Sequence, residues 1–485
     1  MSKNPKILKP TFDAISRLNS ISYCTIPELS FIPQVNTLQK GERELILHFT
    51  AVYDHNINTA LRNFDLGDLT LTSANGNYHI PSKASYLSES ASSLMSTSAE
   101  PFKLHINHIT TFSAQLTASY KRVVQPISRD NWNGELATCG FTVASQSFGG
   151  LLDLDFPLGQ VHAYTFIYNA QKYLIVEPQY KVTLDEIYEI QFAVALGLGL
   201  IAGTVPLGEC YIVSSETQDF SNIENIEYRR LRESIVSSYR LFTTNMYGIY
   251  DTLKNGKHNN YATRQLEDQN GAIISGYVDW LYPKFYSKLI TTLYQDSDLA
   301  RAAEIMIDAS DKSLGYQVSL YSVTLETITT RLKSVFNVKY PGIIDKSTWK
   351  KLHKSIVKSY EQVSKELAFS ADIHDRYKRT LDNMNNISNQ EKFNLVMDRI
   401  GHNRTASDDD AISQRNLSLH GSQVKKTAPN SRDADDYFYY STVLCRLCYC
   451  LLFRYCGFDS YIINLPVLYD LEPACNLQED VLIKI

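Results

Sequence analysis

The stretch NIEYRRLRESIVSSYRLFTTNMYGIYDTL (225–253) marks where the chain changes character. From about residue 222 onward, apolar residues recur at three- and four-residue steps, the spacing of one face of a helix. Upstream, β-branched and aromatic residues alternate with polar ones in ELILHFTAVY (44–53), DLTLTS (68–73), KLHINHITTFSAQLTASY (103–120) and HAYTFIYN followed by KYLIVEP (162–178). That two-residue period is the pattern of half-buried strands. Turn clusters punctuate them at ANGN (74–77), DNWNG (130–134) and YNAQ (168–171), where Asn and Gly accept the backbone angles a tight turn needs. Downstream, an Asn-rich break at 254–271 precedes ISGYVDWLYPKFYSKLITTLY (274–294). Helical spacing then continues through 299–312, 316–336, 348–382, 408–420 and 433–458, with a short helix, EKFNLVMDRI (391–400), in the polar segment 383–405. The expected fold is α+β: a β-rich N-terminal domain over 1–220, a helical connector over 221–290 and an all-helical domain over 291–485.

Composition bounds the function classes. With 485 residues, 44% apolar and 20% charged, the chain buries enough surface to offset its ordering entropy, so global disorder is excluded. Lys+Arg 47 against Asp+Glu 52 leaves a net charge of −5, which excludes a protein that coats nucleic acid along its whole surface; any such contact is local. Eight cysteines are too sparse for a disulfide scaffold in a chain of this length, and thiols in a reducing compartment are expected. The start, MSKNPKILKPTFDAIS (1–16), lacks the apolar core of a secretory signal, so a cytoplasmic location is expected. FAVALGLGLIAGTVPLG (192–208) approaches the length of a membrane span, but Pro206 and four glycines interrupt it and Asp185, Glu186, Glu189 and Glu209 flank it. It reads as a buried helix running into a turn, with no membrane partner.

In the last third stands SQRNLSLHG (413–421), in which Asn416 follows Arg415 directly and His420 lies five residues beyond the arginine. Ser407 followed by Asp408, Asp409 and Asp410 reads as an N-cap with an acidic first turn, and Gly421 sits where a helix would stop. Arg415 and His420 then occupy the last two turns of a short helix. The same spacing in Arg43–His48 falls in a strand-like alternation and lacks the asparagine.

This motif resembles the signature of HEPN domains, a helical family that includes many metal-independent RNases. YQVSLYSVTLETITTRL (316–332) resembles the early long helix of the ApeA-like HEPN subgroup, and YFYYSTVLCRLCYCLLFRYCGFD (437–459) resembles its closing helix; the likeness covers about residues 295–460. It implies an all-α HEPN bundle acting as an endoribonuclease, with Arg415, His420 and, as a helper, Asn416 as catalytic residues and with no metal or cofactor. It further implies a homodimer, an RNA substrate with tRNA among the candidates, and an anti-phage setting. The N-terminal region would then restrain the RNase until a phage-derived trigger reaches it. A HEPN dimer without catalysis, binding RNA or a partner, is the alternative.

The residue types suit that chemistry. Cleaving RNA through its 2′-hydroxyl needs a base, an acid for the departing 5′-oxygen, and positive charge on the phosphorane-like transition state. Arginine offers a permanently charged planar fork, and histidine as a residue type titrates near neutral pH. The negative end of a helix dipole favours imidazolium, which suits the acid. Five helical residues rotate about 500° and rise about 7.5 Å, so the two side chains do not share a face. A two-fold dimer that joins two such helices would complete the site.

Other patterns weigh less. Lys346, Lys350, Lys354 and Lys358 recur at four-residue steps, with Lys351 and His353 beside them; Lys350, Lys354 and Lys358 are candidate RNA contacts, although such a run is commonly a solvated face. Cys445, Cys448, Cys450 and Cys456 share one helical segment, where thiols cannot close a tetrahedron around one ion, so they read as core. His105 and His108, three apart in a strand-like run, point to opposite faces and do not read as a metal pair. No phosphate-binding Gly loop, G-x-S-x-G or H-E-x-x-H occurs in the chain, so no NTPase, hydrolase or zincin signature competes.

Overall fold

The structure, a computed structural model, describes residues 8–32, 36–41, 44–52, 55–62, 65–89, 99–111, 118–127, 141–143, 146–202, 205, 208–230, 283–419, 423–429, 431–459, 461–469, 471–480 and 482–485. The described residues separate into two compact units, one reaching Asp311 and the other beginning at Lys312. The β-rich N-terminal region and the helical C-terminal region make the chain α+β, as its periodicities indicate.

The first unit opens with α1 (Lys9–Leu18). Among the described residues, one sheet has five antiparallel strands: β1 (Ser22–Cys24), β2 (Asn36–Lys40), β3 (Leu45–Val52), β7 (Ala99–Ile106) and β6 (Ser85–Glu89), in that order. The helix α2 (His55–Arg62) packs on β6. The second sheet runs β10 (Phe141–Val143), β11 (Gln146–Phe156), β12 (Gly159–Tyr168), β13 (Gln171–Pro178), β9 (Tyr120–Ile127), β14 (Glu209–Ser215), β15 (Asn225–Arg230), β8 (His108–Thr111), β5 (Gly76–Ile80) and β4 (Leu69–Ser73). The YNAQ turn joins β12 to β13, with Asn169 and Ala170 at φ of 46° and 66°, the left-handed angles of a two-residue hairpin loop. Leu45, Leu47 and Leu104 from one sheet and Leu69, Leu71, Val124 and Val213 from the other fill a common core with Phe12 of α1.

The stretch at 225–253 departs from the expected helix at its start. Residues 225–230 form β15, where Ile226 and Tyr228 lie opposite Val213 and Tyr211 of β14. Asn225 through Tyr228 are all buried in the middle of a sheet. The rest of that stretch, the break at 254–271, residues 274–282 and the DNWNG turn lie outside the described residues.

The apolar run at 192–202 belongs to α3 (Leu184–Ala202), buried among α4 (Pro283–Gln295), α5 (Ser297–Ala309) and the larger sheet. Among the described residues no helix is long and apolar enough to cross a membrane. The expected boundary at 290/291 falls inside α4, which packs on β11 and α3; Ser287 Oγ accepts a 2.8 Å hydrogen bond from the Asp155 amide. Both α4 and α5 therefore belong with the sheets, and the division lies at 311/312. The α3–α4 contact needs Gly197, because a Cβ there would lie 2.5 Å from Ile290 Cγ1. Replacing Gly197 with Val is expected to destabilise the first unit by about 1–3 kcal/mol through overpacking, read as a lower denaturation midpoint; an unchanged midpoint would refute this contact.

The second unit contains α6 (Leu314–Val335), α7 (Lys346–Glu366), α8 (Ala371–Asn383), α9 (Asn389–Arg399), α10 (Ala406–Leu419) and α11 (Asp433–Tyr455). It closes with the strand β16 (Tyr461–Ile463), the short helices α12 (Leu465–Leu468) and α13 (Glu472–Asn476), and β17 (Leu482–Lys484), which pairs with β16. The helix α11 is buried nearly all round from Tyr439 to Phe453 and packs on α6 and α10. The expected single helix over 348–382 is two, α7 and α8. Ala368 takes a left-handed φ of 47°, which ends α7, and Tyr360 Oη donates to the His374 carbonyl oxygen at 3.0 Å, tying the pair.

Candidate functional site

The helix carrying the Arg–Asn motif starts two residues earlier than the sequence pattern indicates. Thr405 is its cap. The Asp408 amide donates to Thr405 Oγ1 at 3.2 Å, and the Thr405 amide donates to Asp408 Oδ2 at 2.9 Å. This reciprocal pair satisfies two of the amide donors that a helix start leaves open. Ser407, expected as the cap, is instead buried in the first turn.

Arg415 lies in the later half of α10 and its side chain is only 3% exposed. Its guanidinium carbon sits 4.1 Å from the ring centre of Phe393 on α9, a cation–π stack that leaves the edges of the fork for hydrogen bonds. Nη1 donates to Glu326 Oε2 of α6 at 3.4 Å. Burial pushes the guanidinium pKa down and the Glu326 carboxylate acts against it. The acidic first turn does not pair with Arg415: Asp408 bonds Arg446, Asp409 bonds Arg404 at 2.7 Å, and Asp410 accepts from Tyr440 Oη at 3.2 Å. Asn416 is on the same helix. His420 and Gly421 lie outside the described residues, immediately beyond Leu419, where α10 ends. Of the expected constellation, the structure therefore describes the arginine's surroundings alone.

The chemistry available to Arg415 is that of a positioned cation. The Phe393 ring lies against the guanidinium, and Glu326, more than half exposed, is its only hydrogen-bond acceptor among the described residues. An anion that displaced Glu326 would meet a planar fork able to bind two oxygens.

A second constellation, unmarked by any short motif, lies at the start of α10. Arg446 of α11 is fully buried and bonds Asp408, Glu479 at 3.0 Å, Asn464 Oδ1 at 2.5 Å and Thr405 Oγ1 at 3.0 Å. His402 Nε2 lies 3.3 Å from Asp408 Oδ2. Burial by itself would raise the Asp408 carboxyl, but the Arg446 guanidinium and the His402 ring hold it well below the usual carboxylate range. Burial would likewise lower Arg446, and Asp408 and Glu479 hold it above its ordinary value. A single arginine inside the apolar run of α11 is the signal that points to such a network, because a charge there needs partners.

Lys350, Lys354 and Lys358 are exposed along α7, and none pairs with a carboxylate among the described residues. Cys445, Cys448, Cys450 and Cys456 are buried core thiols, and burial pushes Cys445 up to about 12. His105 lies next to the end of β7 in one sheet and bonds Glu44 and Ser88, both at 2.7 Å, while His108 starts β8 in the other and bonds Glu227 at 2.7 Å. Among the described residues no group of three or more His, Cys, Asp or Glu is placed to hold a metal ion. Comparison of the chain with protein-family models, with curated proteins and with solved structures finds no match.

Proposed function

We propose that the chain is a metal-independent endoribonuclease of the HEPN type, working as a cytoplasmic homodimer. The observation that carries the reading is Arg415 itself: a guanidinium seated over the Phe393 ring, late in a helix whose last residue precedes His420. In this reading the 2′-hydroxyl of the RNA gives up its proton to solvent water as its oxygen attacks phosphorus, the bond to the 5′-oxygen breaks, and the products are a 2′,3′-cyclic phosphate and a 5′-hydroxyl. Arg415 meets the charge that builds on the equatorial oxygens. His420 gives its proton to the departing 5′-oxygen, and Asn416 assists at the phosphate. Two α10 helices related by a two-fold axis bring two arginines and two histidines to one composite site. The proposed setting is anti-phage defence, with the β-rich region restraining the RNase until a phage-derived trigger binds.

A second reading rests on the near-complete burial of Arg415 and its bond to Glu326. An arginine so covered also fits a packing role, in a HEPN dimer that binds RNA or a partner without cutting. Incubating the full-length protein with total tRNA in excess EDTA separates the two. Cleavage that leaves 2′,3′-cyclic ends is the expected outcome; intact RNA at high protein concentration would overturn the nuclease and leave the binding module.

A further inference from the structure

The second unit holds an open cleft of 580 Å³ whose lining does not include Arg415, formed by the end of α6, the loop before α7, the first turn of α7, the end of α8, the α8–α9 turn and the start of α9. Three lysines face it, Lys333, Lys346 and Lys392, against one carboxylate, Asp382. That carboxylate is engaged elsewhere, accepting from His353 Nε2 at 2.9 Å. Among the described residues no carboxylate pairs with any of the three lysines. Two aromatic rings share the lining, Tyr340 and Trp349. Lys333 and Lys392 stand 4.1 and 5.9 Å from the Tyr340 ring centre, and Trp349 packs on His353 at 5.1 Å between centres.

The floor of the cleft is built in advance. The Asn385 side chain clamps the backbone of Ile344, accepting from its amide at 2.9 Å and donating to its carbonyl oxygen at 3.1 Å. The Ile343 amide donates to the Asn385 carbonyl oxygen at 2.9 Å. Gly342 permits this approach, since a Cβ there would lie 2.1 Å from Asn385 Nδ2 and 2.9 Å from the Ile344 carbonyl oxygen. A rigid floor, unneutralised lysines and aromatic rings in one concavity supply what a nucleotide needs, a cationic seat for phosphate and a platform for the base.

We infer that this cleft binds a nucleotide, its phosphate on Lys333, Lys346 and Lys392 and its base against Tyr340 or Trp349. The same chemistry is offered by a free nucleotide and by one residue of a single RNA strand. Lys346 also begins the run of Lys350, Lys354 and Lys358, which extends about 18 Å along α7, so a strand leaving the cleft has a charged track to follow. The RNA source rests on the RNA-binding reading of the preceding section; nucleotide binding itself does not.

The test is equilibrium binding of full-length protein to two probes, ATP and a single-stranded 2′-O-methyl RNA octamer that cannot undergo 2′-hydroxyl attack. Binding to at least one is expected. Lys333→Glu combined with Lys392→Glu should weaken it about tenfold or more, and Trp349→Ala should weaken it more than Trp349→Phe. Should the Glu pair fail to fold, judged by thermal melting, Lys333→Gln with Lys392→Gln replaces it. An RNA strand as occupant predicts octamer affinity about tenfold above ATP and a further loss on Lys350→Glu with Lys354→Glu. Equal affinities unmoved by that pair identify the free nucleotide. No binding of either probe, or unchanged binding in the Lys333/Lys392 variants, overturns the inference. Wild-type protein that binds neither probe but still cleaves RNA in EDTA sinks the cleft alone; binding of a probe without any cleavage sinks the nuclease reading alone.

Discussion

Arg446→Met is expected to cost the second unit roughly 3–5 kcal/mol, the typical penalty for removing one member of a buried ionic network. Methionine fills much the same space, so the loss is electrostatic: Asp408 and Glu479 would remain in the interior with their shared cation gone. Urea denaturation of the full-length chain measures it. Adding Asp408→Asn and Glu479→Gln to Arg446→Met should recover much of the loss, because no unpaired charge is left buried. If Arg446→Met melted like the wild type, the network would carry no stability at all.

The pH dependence follows from the same groups. Asp408 and Glu479 are both held below their ordinary carboxylate values by Arg446, against the opposing effect of burial. A carboxyl whose folded pKa is depressed contributes stability above its unfolded pKa, near 4, and that stability drains away as pH falls through the folded value. Wild-type stability should therefore decline on acidification from about pH 5 downward. Arg446→Met removes the cause of the depression and should flatten that acid slope. The network also anchors the first turn of α10 to α11 and to the segment around Asn464 and Glu479. Its loss would loosen the helix that places Arg415.

How much of this was legible in the residues differs from element to element. The alternation in 162–178 and the Asn169–Ala170 turn specify a hairpin locally, and β12 and β13 form it. The segment 225–230 misleads because Ile226 and Tyr228 are followed at once by apolar residues at helical steps. Only its pairing with Tyr211 and Val213 of β14 identifies it as a strand, and pairing is invisible to local periodicity. The break between α7 and α8 is hidden for another reason. It is made by a left-handed alanine, Ala368, where no glycine or proline stands in the sequence to mark it.

The site shows the same division. The helix under Arg415 and its acidic first turn follow from residues close in sequence. The surroundings of Arg415 do not, because Glu326 and Phe393 are brought to it by α6 and α9. The lysine cleft is likewise assembled from α6, a loop, α7 and α9; the regular spacing along α7 exposes Lys346 but gives no hint of Lys333, Lys392 or Tyr340.

Arg415→Ala and His420→Ala are each expected to lower RNA cleavage by about two to four orders of magnitude, the range for removing a transition-state cation or a general acid. Arg415 also packs on Phe393, so thermal melting must accompany the assay. Arg415→Lys supplies a further control, because it keeps the charge and loses the planar fork, and a partial loss is expected. Mixing the two inactive alanine variants decides the architecture. With random exchange at equal amounts, half the dimers pair one variant with the other. If the site takes arginine from one copy and histidine from its mate, each mixed dimer regains one of two intact pairs, so activity should return to about a quarter of wild type. If both groups act within one copy, the mixture stays as inactive as its parts. Unchanged activity in either single variant would remove that residue from the reaction, and with it the proposed mechanism.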